Sequence, residues 1–140
     1  MAEPAAGDSA TRNAASRAPV VAIVDDDPAI RSALSRLARS LGYAPASFAG
    51  AEPLLNAADD AGIAVVVTDV QMPGLNGLDL LRLLRLRRPT LPVIVMTAYP
   101  SESSRARALA FGAFAYLAKP FDAEQFEHCL GSVLGITRHP

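Results

Sequence analysis

A chain of 140 residues, 51% hydrophobic and 19% charged, has room for one globular domain with a sizeable core. Its 13 basic and 14 acidic side chains leave a net charge of -1, which offers no basic stripe for phosphates and argues against direct nucleic-acid binding. The single cysteine, Cys129, excludes an internal disulfide framework and a cysteine-rich metal cluster. With no apolar run long enough for a bilayer and no signal-peptide layout at the start, the composition predicts a soluble cytoplasmic protein without a membrane partner.

Met1 to about Arg17 is rich in Ala, Ser and Gly and lacks large aliphatic residues, so it has little surface to bury against the entropy of ordering. A disordered leader over residues 1–18, a domain over 19–136 and a tail over 137–140 are therefore expected. Val20 to Val24 is a continuous branched run suited to a strand covered on both faces. Ile30, Leu34, Leu37 and Leu41 then recur at helical spacing, and the helix they predict ends near Gly42. Tyr43 to Phe48 reads as a weaker strand, and Ala51 to Ala58 as a short helix stopped by Asp59-Asp60-Ala61-Gly62. Ala64 to Thr68 is the third strand and Gly77 to Arg88 the third helix. Pro89 and Pro92 bracket the link to a buried fourth strand, Val93 to Met96. Ser101 to Ala110 is a small-residue helix closed by Gly112, and Phe114 to Leu117 a short fifth strand. Asp122 to Leu134 is a last helix turning Phe126, Leu130, Val133 and Leu134 inward. Five strands alternating with five helices imply an α/β doubly wound parallel sheet with right-handed crossovers.

Ligands of such folds bind beyond the carboxyl ends of the strands. There the chain places Asp25 and Asp26, Asp69, Thr97 and Ala98, and Lys119 and Pro120. Carboxylates about 4 Å apart repel by roughly 4 kcal/mol per pair at an effective dielectric near 20, so three of them call for a cation. An all-oxygen donor set with few carboxylates suits Mg²⁺, which shares its sphere with water and phosphate oxygens. The Lys119 ammonium and the Thr97 hydroxyl add two donors for phosphoryl oxygens. A cation, an ammonium and a hydroxyl around one carboxylate describe phosphoryl transfer with Asp69 as the nucleophile.

Four segments, each placed after a predicted strand, carry a family resemblance: Val24-Asp25-Asp26-Asp27, Asp69 to Gly77 with Gln71-Met72-Pro73-Gly74 inside it, Thr97-Ala98, and Tyr116 to Phe121 with Lys119-Pro120. Together they resemble the receiver (CheY-like) domain of two-component response regulators over about Val20 to Leu134. The wording around Asp69 is most similar to receivers of the FixJ type. The resemblance implies a flavodoxin-like (βα)5 sheet in the order 2-1-3-4-5 and Mg²⁺-dependent phosphorylation of Asp69 by a histidine kinase or phosphotransfer protein. It also implies metal ligation by Asp25, Asp26, Asp69 and the backbone carbonyl of Gln71, with Asp25 acting through a water. Lys119 would hold a phosphoryl oxygen beside a cis Lys119-Pro120 bond, and Thr97 and Tyr116 would form a switch pair. Gln71, Ala98 and Tyr99 would tune the phosphate pocket, with Ala98 leaving room and Tyr99 shielding the acyl phosphate. The face made by the fourth helix, fifth strand and fifth helix would meet a downstream protein or a second copy in a phosphorylation-dependent dimer. A switch rather than an enzyme with a turnover substrate is expected.

Two other readings compete with a stand-alone switch. Receivers of the FixJ type usually precede a DNA-binding helix-turn-helix domain, so the chain could be the N-terminal piece of a transcription factor. The paired acids of Asp25-Asp26-Asp27 superficially resemble haloacid dehalogenase-type phosphohydrolases, but Pro28 and Ala29 lack the hydroxyl that follows in that family. Structural roles suffice for several other residues. Asp27 before Pro28 reads as a helix cap, and Arg82, Arg85, Arg87 and Arg88 as a solvated helix end. Leu86 is a lone exposed leucine, and His128 and Cys129 lack metal-compatible neighbours in sequence.

Overall fold

The branched runs become the centre of the sheet and the sequences between them become helices. The computed structural model describes residues 18–58 and 62–135. The strands are β1 (Val20–Val24), β2 (Ala44–Phe48), β3 (Ile63–Asp69), β4 (Val93–Thr97) and β5 (Ala115–Ala118). Between and after them lie α1 (Pro28–Ser40), α2 (Ala51–Ala57), α3 (Gly77–Arg87), α4 (Glu102–Ala110) and α5 (Ala123–Leu134). The sheet order is β2-β1-β3-β4-β5 and every pairing is parallel, as the alternating pattern predicts. The expected leader, the tail and most of the Asp59-Asp60-Ala61-Gly62 turn lie outside the described residues.

Alternation along the central strands divides the core in two. Ala22, Val24, Val66, Val93 and Val95 pack with Leu54, Leu80, Leu81 and Leu84 of α2 and α3 on one side of the sheet. Val21, Ile23, Val65, Val67, Ile94 and Met96 pack with Leu34, Ala38, Phe126 and Leu130 of α1 and α5 on the other. β2 has no fully buried residue, in keeping with its weak pattern. Val133 and Leu134 reach the second cluster only half-buried, because α5 ends there at a left-handed Gly135.

Local capping sets the helix entries. The Asp27 carboxylate accepts from the Ala29 N–H at 2.9 Å with Pro28 in the first turn, the arrangement its sequence predicts. Asn76 accepts from the N–H groups of Leu78 and Asp79, both at 2.9 Å, while Asp79 accepts from the Asn76 N–H.

Three expectations need correction. β3 extends to Asp69, which pairs with Met96, so the acid belongs to the strand and is not the first loop residue. β5 begins at Ala115 opposite Ile94. Phe114 is spent on the entry turn, its N–H donating to the Val93 carbonyl at 2.8 Å, and the residue is 47% exposed. The arginines around the end of α3 are not simply solvated. Arg85 donates to the carbonyls of Pro89 (2.7 Å) and Leu91, Arg87 to that of Leu55 (2.9 Å), and Arg88 to that of Ala58 (2.8 Å). Arg82 lies over the Phe111 ring, 5.0 Å from its centroid. The guanidinium groups of Arg85, Arg87 and Arg88 satisfy carbonyls at the end of α2 and in the loop after α3, a tertiary demand that helix patterning does not report.

Candidate functional site

The ends of β1, β3 and β4 and the loop after β5 meet at one edge of the sheet, and each delivers a polar group. Asp25 is 1% exposed, Asp69 5% and Thr97 0%, whereas Asp26 is exposed. Backbone bonds hold these ends in register: Val70 N–H to Met96 carbonyl at 2.9 Å, and Lys119 N–H to Thr97 carbonyl at 2.7 Å. The Arg31 guanidinium donates to the Asp25 carbonyl at 2.8 Å, tying α1 to the same edge. The Lys119-Pro120 bond is cis, as the resemblance implies.

Lys119 reaches across the edge with its Nζ 3.0 Å from Asp25 Oδ2 and 3.2 Å from Asp69 Oδ1. Only the first contact is aligned as a hydrogen bond. Asp69 Oδ1 is buried beside an ammonium and has no hydrogen-bond donor. Burial raises the Asp69 carboxyl above its ordinary range. Lys119 works against that rise, and the charges of Asp25 and Asp26 add to it. For Lys119 burial favours the neutral amine, but Asp25 and Asp69 together outweigh it and hold the ammonium above its usual value.

One oxygen from each of Asp25, Asp26 and Asp69 fits within a sphere where all lie within 4.8 Å of one another. Three carboxylates against one ammonium leave an excess of negative charge, and the donors are all oxygen. Asp69 Oδ1, ion-paired with Lys119 but without an aligned hydrogen-bond donor, keeps a buried lone pair free to meet a cation. This donor set fits a hard divalent cation such as Mg²⁺.

Around the acids, the Thr97 hydroxyl donates to the side-chain Oε1 of Gln71 at 2.9 Å and accepts from the Tyr99 N–H at 2.9 Å. Tyr99 itself is 73% exposed, and Ala98 is exposed beside it. Tyr116 is half-buried, and its hydroxyl accepts from the Ser101 N–H at 3.3 Å, where α4 begins. Gly77 lies so close beneath Asp69 that a Cβ there would fall 2.1 Å from the Asp69 carbonyl oxygen, while its N–H donates to the Val70 carbonyl at 2.9 Å.

A family model described as the response regulator receiver domain matches residues 21–130. The chain belongs to that family. This receiver is 40% identical over 103 residues to the DNA-binding transcriptional regulator NtrC of Klebsiella pneumoniae, covering 74% of the chain and 22% of NtrC. It is 31% identical over 112 residues to the transcriptional regulatory protein FixJ of Bradyrhizobium diazoefficiens, covering 80% of the chain and 55% of FixJ. The chain thus spans under a quarter of the one relative and about half of the other. Among solved structures, chemotaxis protein CheY4 of Vibrio cholerae superposes with a TM-score of 0.79 at 28% identity, over 84% of this receiver and 99% of that chain. The BeF3-activated DrrB receiver domain gives 0.77 at 29% identity, over 84% and 98%. The fold of this receiver is accordingly the CheY-like, flavodoxin-like one. No support remains for a dehalogenase-type reading of Asp25 to Asp27.

Asp25, Asp26, Asp69, Thr97 and Lys119 are thus gathered at one edge, with Gln71, Ala98 and Tyr99 around them. Tyr116 stands apart, engaged with the start of α4. Three contacts of this receiver are absent from its sequence motifs: the bond from Thr97 to the Gln71 side chain, the Arg31 anchor on Asp25, and the approach of Gly77 to Asp69. Only the last has a sequence signal, an Asn-Gly pair at the opening of a helix pattern.

Proposed function

We propose that this receiver is a phosphoacceptor switch in which Asp69 takes a phosphoryl group from the phosphohistidine of a kinase or phosphotransfer protein. The observation that carries the reading is the Asp69 carboxylate, buried, 3.2 Å from the Lys119 ammonium and grouped with Asp25 and Asp26. A carboxylate oxygen attacks phosphorus, the phosphorus–nitrogen bond breaks, and the bond electrons leave with the imidazole, so Asp69 becomes an acyl phosphate. Lys119 holds one phosphoryl oxygen, and the Thr97 hydroxyl turns to another. Ala98 leaves space for the group. Asp25, Asp26, Asp69 and the Gln71 backbone carbonyl would hold Mg²⁺, whose contribution is to neutralise charge on the transferring oxygens. The bulk of Tyr99 limits access of water to the product.

The phosphorylated state favours one of two conformations. Thr97 moves toward the phosphoryl oxygen, and Tyr116 leaves Ser101 and turns inward. The change is read at the face of α4, β5 and α5 by a downstream protein or a second copy. The protein acts as a cytoplasmic switch and not as an enzyme with a turnover substrate. Its relatives NtrC and FixJ are named as transcriptional regulators, and the short share of them that it spans supports a second reading, a receiver serving a DNA-binding output.

Intact mass after incubation with acetyl phosphate or a phosphorylated kinase, each with Mg²⁺, tests the proposal. Wild type should gain one phosphoryl group and Asp69→Asn none. Equal labelling of the variant overturns the assignment of Asp69, and no labelling of wild type by either donor overturns the phosphoacceptor function.

A further inference from the structure

Thr97 has one hydroxyl proton, and in this structure that proton is already engaged. The residue closes β4 with no exposed surface, and its Oγ1 donates to Gln71 Oε1 at 2.9 Å while accepting from the Tyr99 N–H at 2.9 Å. Gln71 stands two residues beyond Asp69, on the loop that leads to α3, with its side chain exposed. Its amide therefore has water as an alternative partner, whereas the buried hydroxyl of Thr97 has few. The accepting side of that hydroxyl is used by the backbone of Tyr99, which fixes the direction in which the proton points.

We infer that the Gln71 side chain is a positioning residue that competes with the phosphoryl group for the Thr97 proton. This rests on the phosphoacceptor reading of Asp69. A phosphoryl oxygen accepts from Thr97 only after the bond to Gln71 has broken, so Gln71 favours the resting arrangement and sets how completely phosphorylation shifts the switch. Nothing in this requires Gln71 to touch the phosphoryl group. Its lever is the one proton that two acceptors cannot share fully. A neutral side-chain hydrogen bond of this kind translates into roughly a two- to tenfold bias between the two arrangements.

The competition differs from simple bulk beside the phosphate, and a double-mutant cycle separates the two. Gln71→Met keeps length and volume but offers only a weak sulfur acceptor, and it preserves the backbone carbonyl. Thr97→Val removes the contested proton. The affinity of the protein for beryllofluoride in the presence of Mg²⁺ should rise about two- to tenfold in Gln71→Met and stay unchanged when the same substitution is made in Thr97→Val. An equal rise in both backgrounds overturns the competition in favour of bulk or access. No rise in the wild-type background overturns it as well.

The ligand-free protein gives a second readout, independent of Asp69 chemistry. The Thr97 hydroxyl proton should exchange with water faster in Gln71→Met than in wild type, while the Tyr99 N–H keeps Oγ1 in place. Equal exchange in both proteins overturns the restraint. If wild type fails to bind beryllofluoride while the exchange difference appears, the phosphoacceptor reading falls and the competition with a phosphoryl group falls with it, leaving only the contact. If wild type binds and the cycle shows no coupling, the competition alone falls.

Discussion

Asp69 is pulled in opposite directions by its surroundings. Burial raises its carboxyl, and Lys119 opposes that rise without cancelling it. Because the folded value lies above the ordinary 3.8, the unfolded chain ionises first as pH climbs, and stability falls through that window. Above the raised value the loss is complete; below 3.8 there is none. Asp69→Asn in metal-free buffer should therefore be more stable than wild type at neutral pH, with the gain vanishing under acid conditions. Urea unfolding at both pH values reads this, and a variant weaker than wild type at neutral pH overturns the account. Lys119 behaves in the opposite sense. Burial alone would lower it, but its two carboxylate partners raise it, so its stabilising share is full below 10.5 and is lost as pH rises through the higher folded value. Lys119→Met should accordingly flatten the alkaline limb of the stability profile.

The entry to α3 shows how an element constrains the site. Propensity alone favours Ala over Gly in a helix by about 1 kcal/mol. At Gly77 the sign reverses, since a Cβ would lie 2.1 Å from the Asp69 carbonyl oxygen and 2.9 Å from the Val70 Cα. All of the atoms it would meet are backbone of Asp69 and Val70, so no flexible side chain is there to yield. Gly77→Ala should cost about 1–3 kcal/mol by urea denaturation and also weaken phosphorylation of Asp69, because the strand end must shift. One residue earlier, Asn76 caps two N–H groups of the same helix. Asn76→Ala should cost about 1 kcal/mol in the same assay while leaving the Asp69 carbonyl undisturbed, so its phosphorylation rate should change less than that of Gly77→Ala.

At the scale of the whole molecule, the acids come from segments far apart in sequence, and only the sheet order β2-β1-β3-β4-β5 makes them neighbours. Folding therefore concentrates negative charge that the unfolded chain disperses. A cation bound at Asp25, Asp26 and Asp69 couples its affinity to the fold, adding about 2.7 kcal/mol at a hundredfold excess over the dissociation constant. Mg²⁺ titration during urea unfolding should show that gain in wild type and little of it in Asp26→Ala. An undiminished gain in the variant places the ion elsewhere. Among the described residues no helix is long and apolar enough to cross a membrane.

Strands Val20–Val24 and Val93–Thr97 are legible in the residue pattern to within a residue, as are the cap at Asp27, the alternating α/β order and the identity of the groups at the strand ends. Those features are local: a period of two, a period of 3.6, or a residue type at a fixed offset. Three-dimensional packing is what joins the Thr97 hydroxyl to the Gln71 side chain, rests Tyr116 on Ser101, and anchors the α2 region through Arg87 and Arg88. In each case a donor had several acceptors compatible with the sequence. Reach and direction in three dimensions selected one, and no periodicity encodes that choice.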